Sequence, residues 1–81
     1  MKYDYSKLLG KITEKYGNNG NFAAKMGLSE KTISLKLNNK TDFKQDEIIK
    51  ASKLLDISPT DLHIYFFTEK VQWYWTKSRS N

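Results

Sequence analysis

The sequence predicts an all-α fold of five short packed helices that ends in an extended, β-like aromatic segment. Apolar residues recur at spacings of three and four in successive stretches, the mark of one buried helix face. Helix stops and starts separate those stretches: Gly17, Gly27-Leu28-Ser29 and Ser58-Pro59. After Thr68 the period changes to two, with Val71, Trp73 and Trp75 alternating with Gln72 and Tyr74. A helical domain over 1–67 and a C-terminal extension or arm over 68–81 follow from that change.

The first helix is expected from about Asp4 to Tyr16. Asp4 can cap it, Tyr5, Leu8, Leu9, Ile12 and Tyr16 form its stripe, and Gly17 suits a left-handed terminator. Lys7, Lys11 and Lys15 occupy another face and read as a solvated stripe. Asn18-Asn19-Gly20-Asn21 is a turn cluster in which the second helix begins, to end at Met26. Its free amides, with Asn19 or Asn21, could hold a phosphate, and a plain helix cap is the alternative.

The stretch Phe22 to Leu37 is the most diagnostic. A helix that stops and restarts within three residues needs a left-handed residue, a buried plug and a new cap. Gly27 enters positive φ cheaply, Leu28 can be the plug, and Ser29 can accept from the first free amides of the next helix. Ala23, four residues before Gly27, leaves room for a steep crossing. Ile33 and Leu37 lie one turn apart and would pack back toward Ala23 and Met26. Glu30, Lys31, Ser34, Leu35 and Asn38 then face outward, which is how a helix-turn-helix reader of DNA is built.

Asn38 to Asp42 is a polar connector with an asparagine suited to left-handed φ. A fourth helix is expected from Phe43 or Lys44 to Leu55, capped by Asp42 or Thr41, with Ile48, Ala51, Leu54 and Leu55 as its stripe. Ser58 as cap, Pro59 at the first helical position and Asp61 three residues after the cap start a fifth helix carrying Leu62, Ile64, Tyr65 and Phe66 to the core. His63 has no second ligand at metal spacing and reads as a surface or cap residue. The aromatic extension must pair to be stable, with a second copy, with the domain's own surface or with another protein. Its tryptophans favour a protein contact.

At 81 residues the chain has room for one small core, which buries only about 60% of the unfolded surface. No cysteine is present, so neither a disulfide nor a thiolate metal site is available. The longest apolar run, Ile64 to Phe67, is far too short to span a bilayer, and no signal-peptide pattern opens the chain. A cytoplasmic protein is expected, with no membrane contact. The net charge of +5 suits a polyanionic partner, and between Lys25 and Lys44 five lysines stand against Glu30 and Asp42. Catalysis is not expected: there is one histidine, no cysteine and no glycine-rich loop leading into a lysine-bearing phosphate motif.

The segment Asn19 to Leu55 resembles the phage repressor and Cro type of helix-turn-helix domain. The shared pattern is Phe22-Ala23, Gly27-Leu28-Ser29, Thr32-Ile33-Ser34 and Asn38, then a helix closing with Lys53-Leu54-Leu55-Asp56-Ile57-Ser58. Met1 to Gln72 looks like a narrower group, the small Cro-like or repression-modulator proteins of temperate phages of Gram-positive bacteria. Residues 34–40, Phe43-Lys44-Gln45-Asp46-Glu47-Ile48 and Tyr65-Phe66-Phe67 carry that likeness. The resemblance implies five packed helices, no cofactor, no small-molecule substrate and a role in the lysis-lysogeny switch. The sequence departs from the wider pattern at Asn19, often glutamine, at Lys36, where an aromatic is common, and at Leu37, where an acid is common.

As a reader of double-stranded DNA, the third helix would enter the major groove. Lys31 would donate to guanine, Glu30 accept from cytosine N4, Leu35 meet a thymine methyl, and Ser34 lie among these base contacts. Asn19, Ser29, Asn38, Lys40, Thr41 and Lys44 would hold phosphates, and a homodimer would match half-sites about 34 Å apart. The rival is an antirepressor that binds the phage repressor protein, using Leu35 with Val71, Trp73 and Trp75.

Overall fold

The structure is a computed structural model and describes residues 2–70. Among them, five helices enclose one core: α1 (Ser6–Tyr16), α2 (Asn19–Met26), α3 (Glu30–Leu37), α4 (Gln45–Leu54) and α5 (Leu62–Phe66). A single 3₁₀ turn, Pro59–Asp61, leads into α5. The innermost side chains are Leu8, Ile12, Phe22, Ile33 and Phe66, from α1, α2, α3 and α5, with Leu55 at the C-terminal cap of α4, which itself adds Ala51.

Three of the four turns between helices repeat one device. At each, a residue at positive φ ends the helix, its amide bonds three residues back and the next amide five back, as in the Schellman motif. Gly27 has φ 76°, with Leu28 N donating to the Ala23 carbonyl at 2.9 Å. Asn39 has φ 62°, with Lys40 N donating to Leu35 at 2.8 Å. Asp56 has φ 56°, with Ile57 N donating to Ser52 at 2.9 Å. After the first and third, the following residue, Leu28 or Ile57, turns inward and pins the exit.

The helix starts depart from the expected ones. α1 begins at Ser6 instead of Asp4, because residues 2–4 are held extended. Asp4 N donates to the Thr68 carbonyl at 2.7 Å and Lys70 N to the Lys2 carbonyl at 3.2 Å, flanking an antiparallel bridge between Tyr3 and Glu69. Asp4 instead accepts from Ser6, through its amide at 2.9 Å and its hydroxyl at 2.6 Å. Leu9 is 38% exposed, since a residue 100° around the helix from Leu8 leaves the core. The cap of α2 is Asn18, whose Oδ1 accepts from Asn21 N at 2.8 Å. Lys44 opens α4, displacing Thr41 and Asp42, and Glu47 Oε1 accepts from its amide at 2.8 Å. An ammonium cannot return that bond, so only half of a capping box forms. Ser58 starts the 3₁₀ turn, and Leu62, Tyr65 and Phe66 pack on the core as expected.

The first residues of the expected extension, Thr68 to Lys70, are therefore tied to the chain's own N-terminal segment. Val71, Trp73 and Trp75, expected as partner contacts, lie outside the described residues.

Candidate functional site

The α2-turn-α3 unit positions the site. Ser29 Oγ accepts from Thr32 N at 3.1 Å, which launches α3 with Glu30 and Lys31 on its exposed first turn. Ile33 and Leu37 are buried in the same core as Ala23 and Met26. Lys50 Nζ reaches across from α4 to the Met26 carbonyl at 3.1 Å, placing a cation at the C-terminal end of α2.

The outward side of α3 is an open groove of about 690 Å³, lined by Glu30, Lys31, Ser34, Leu35, Asn38 and Lys40. All four residues expected to meet base edges lie in it, joined by two of the six expected at phosphates. The other four sit elsewhere. Asn19 is half-buried in the first turn of α2, and Ser29 is occupied as a cap and by the Thr32 hydroxyl at 2.8 Å. Thr41 and Lys44 are exposed on the connector to α4.

The groove has mixed chemistry. Asn38 Nδ2 donates to the Ser34 carbonyl at 2.8 Å, so much of its hydrogen-bonding capacity is spent inside α3. Lys31 and Lys40 are in no ion pair among the described residues. Glu30 leans back onto α2: a Cβ built on Gly20 would lie 3.2 Å from Glu30 Oε1. A carboxylate thus rests at the positive end of the α2 dipole. Leu35 is 36% exposed among these polar groups.

One neighbouring residue escaped the sequence reading. Lys36, two residues beyond Ser34, is buried at 5% exposure and pairs with Glu47 at 2.9 Å. Its ammonium also donates to the Asp42 carbonyl at 2.9 Å and lies 5.9 Å from the Phe43 ring centroid. Lys36 therefore adds no charge to the groove and fixes the connector that carries Lys40 and Thr41. A signal existed in the stripe Ile33, Lys36, Leu37, where a lysine stands at an inward position and so calls for a buried acid.

The family described as a protein of unknown function (DUF739) matches residues 1–69. The chain belongs to the DUF739 family. The match runs through Glu69, the residue bridged to Tyr3. This DUF739 protein is similar to the modulator of repression (MOR) of the temperate bacteriophage TP901-1 from Lactococcus lactis, known from a solution structure. The two are 60% identical, with a TM-score of 0.75 over 89% of this chain and 97% of that one. No curated protein matches the chain. Of the two resemblances read from the sequence, the likeness to a temperate-phage repression modulator is the one these comparisons bear out.

Proposed function

We propose that this protein modulates phage repression by binding a repressor protein through the outward face of α3, and does not act by binding operator DNA alone. The observation that carries the reading is the 60% identity to the TP901-1 modulator of repression, over 97% of that chain.

The groove supports it physically. A DNA reader uses the N-terminus of the helix before the recognition helix as a phosphate seat. Here the Glu30 carboxylate leans on that position at Gly20, and two anions so placed repel. Leu35 offers apolar area in the middle of the face, which suits a protein surface better than base edges, where only thymine methyls are apolar. Lys36 is turned inward, which leaves the third helix with one exposed lysine, Lys31. Lys31 and Lys40, outside any ion pair among the described residues, favour the second reading, a Cro-like regulator that binds operator DNA.

Mixing the purified protein with its phage's repressor and with labelled operator DNA, separately and together, distinguishes the two. A stable complex with the repressor and no anisotropy change with DNA alone is the expected result. A salt-sensitive shift of DNA by the protein alone, with no repressor complex, would assign the operator reading instead.

A further inference from the structure

A second concave site lies away from the α3 groove, where the N-terminal segment, the α3–α4 connector and the end of α5 meet. Its volume is about 420 Å³, within the range of roughly 300–1,000 Å³ typical of ligand pockets. Tyr3, Tyr5, Phe43, Phe66 and Phe67 line it, and Asp42 is the one charged residue among the described residues that line it. The rings form a continuous wall. Phe67 meets Tyr3 edge to face at 5.9 Å between centroids, Tyr3 meets Tyr5 at 6.1 Å, Tyr5 meets Phe43 edge to face at 5.5 Å, and Phe43 meets Phe66 edge to face at 5.4 Å.

We infer that this aromatic site binds an arginine side chain presented by a partner polypeptide, its guanidinium stacked on the ring wall and paired with the Asp42 carboxylate. Ring faces carry negative potential and attract a cation placed over them. A planar guanidinium can lie on a ring and donate to a carboxylate at once, which an ammonium cannot match. The wall already holds one cation: Lys36 Nζ stands 5.9 Å from the Phe43 centroid, its charge balanced by Glu47. Asp42 is exposed and its side-chain oxygens have no hydrogen-bond or ion-pair partner among the described residues; only its backbone carbonyl is used, by Lys36. Tyr5 is held protonated, above the ordinary phenol range, by burial foremost, with Tyr3 and the Asp42 carboxylate adding to it. A carboxylate close to a neutral phenol in an otherwise basic protein is the local charge a guanidinium complements. The inference does not depend on the α3 face binding a repressor.

The test uses the full chain carrying Arg79→Gln, so that an added peptide supplies the only guanidinium. Acetyl-Gly-Arg-Gly-amide is titrated while the aromatic NMR signals of Tyr3, Tyr5, Phe43 and Phe67 are followed. Acetyl-Gly-citrulline-Gly-amide, nearly isosteric and uncharged, is the control. Shifts of those signals with a millimolar dissociation constant are expected, with the citrulline peptide weaker by roughly tenfold. Asp42→Asn, which leaves the backbone carbonyl in place, should weaken the arginine peptide severalfold and leave the citrulline peptide unchanged. Signals of Lys31 and Leu35 should stay still. Equal affinity for the two peptides, an unchanged arginine affinity in Asp42→Asn, or no shift through the millimolar range would each overturn the inference, whatever the repressor assay returns.

Discussion

Lys36 Nζ lies 2.9 Å from Glu47 Oε1, with side-chain exposures of 6% and 14%, so the helix that carries the candidate face is bolted to α4 by a nearly dry ion pair. Glu47 also accepts from Lys44 N, and Lys36 also donates to the Asp42 carbonyl. Breaking such a pair strands a charge, whereas replacing both partners removes the desolvation cost with the attraction. Lys36→Met alone should destabilise the fold by about 3 kcal/mol, and Lys36→Met with Glu47→Leu should return to within about 1 kcal/mol of the parent. Urea unfolding of the four proteins of the cycle measures this. Additive losses would show that the pair contributes nothing through its mutual contact.

Acid should expose the same pair. Burial, the largest influence on Glu47, raises its pKa, but the Lys44 amide and then Lys36 together outweigh it and hold the carboxyl below the ordinary value of 4.5. A carboxyl depressed in the folded state contributes stability that is complete above the unfolded pKa and is lost as pH falls through the folded one. Unfolding midpoints should therefore hold from neutral pH to about pH 5 and drop from there toward about pH 3, with Glu47→Gln flattening the slope. In Lys36→Met the carboxyl loses its cation and titrates higher, so the gap to the parent should narrow in acid. A constant gap from pH 7 to about pH 3 would exclude Glu47 as the titrating group.

Two glycines should respond in opposite senses to alanine. Gly10 lies inside α1 with nothing within 4 Å of a built Cβ, so Gly10→Ala should stabilise by about 0.5–1 kcal/mol through the stiffer unfolded chain. Gly27 sits at φ 76°, where Gly27→Ala should cost about 1–2 kcal/mol. Thermal midpoints, read alongside far-ultraviolet dichroism, are the check.

Asn39 serves two purposes that substitution can separate. It takes φ 62° at the end of α3, and its side-chain amide pairs with the backbone of Tyr3, accepting at 2.9 Å and donating at 3.0 Å. Asn39→Gly keeps the turn and loses the pairing, and Asn39→Ala loses both. Asn39→Gly should cost about 1–2 kcal/mol, and Asn39→Ala about 1 kcal/mol more. Amide exchange should quicken at Asp4 and Lys70, whose bonds the anchored Tyr3 supports.

Asn39 also marks where the sequence stops being legible. Its backbone role could be read, because asparagine after a helix and before a polar connector is a local signal. Its side-chain role could not, since the partner is 36 residues away. The same division runs through the molecule. Gly27, Leu28 and Ser29 act within six residues of one another and were readable, as were Ile33 and Leu37 turning inward. The start of α1 was misplaced because Asp4 is a good local cap, but residues 68–70 hold it extended from the far end of the chain. Lys36 was hidden because a lysine's methylene stem packs like an apolar residue, and the acid it needs stands on another helix. The groove itself was legible as far as helical periodicity reaches: Glu30, Lys31, Ser34, Leu35 and Asn38 fall on one face by spacing alone. The lean of Glu30 onto Gly20, which bears most on what that face can bind, depends on how two helices cross.

Leu35 gives the sharpest functional test, because it is exposed and its loss should leave the core alone. A residue at the centre of an interface dominates its energy when surrounding polar groups exclude water, and here Lys31, Ser34, Asn38 and Lys40 surround Leu35. Under the repressor-binding proposal, Leu35→Asp should weaken the complex by at least about tenfold while shifting stability by no more than about 0.5 kcal/mol. Lys40→Ala, at the rim, should chiefly slow association and lower its salt sensitivity. Titration calorimetry and stopped-flow mixing with the purified repressor separate the two effects. Under the operator reading the pattern reverses: Lys40→Ala weakens every duplex and flattens the salt slope by about one unit, and Leu35→Asp acts only at a site with a thymine beneath it. A repressor complex that tolerates Leu35→Asp would move the contact off this face, because no other large apolar side chain among the described residues lines the groove.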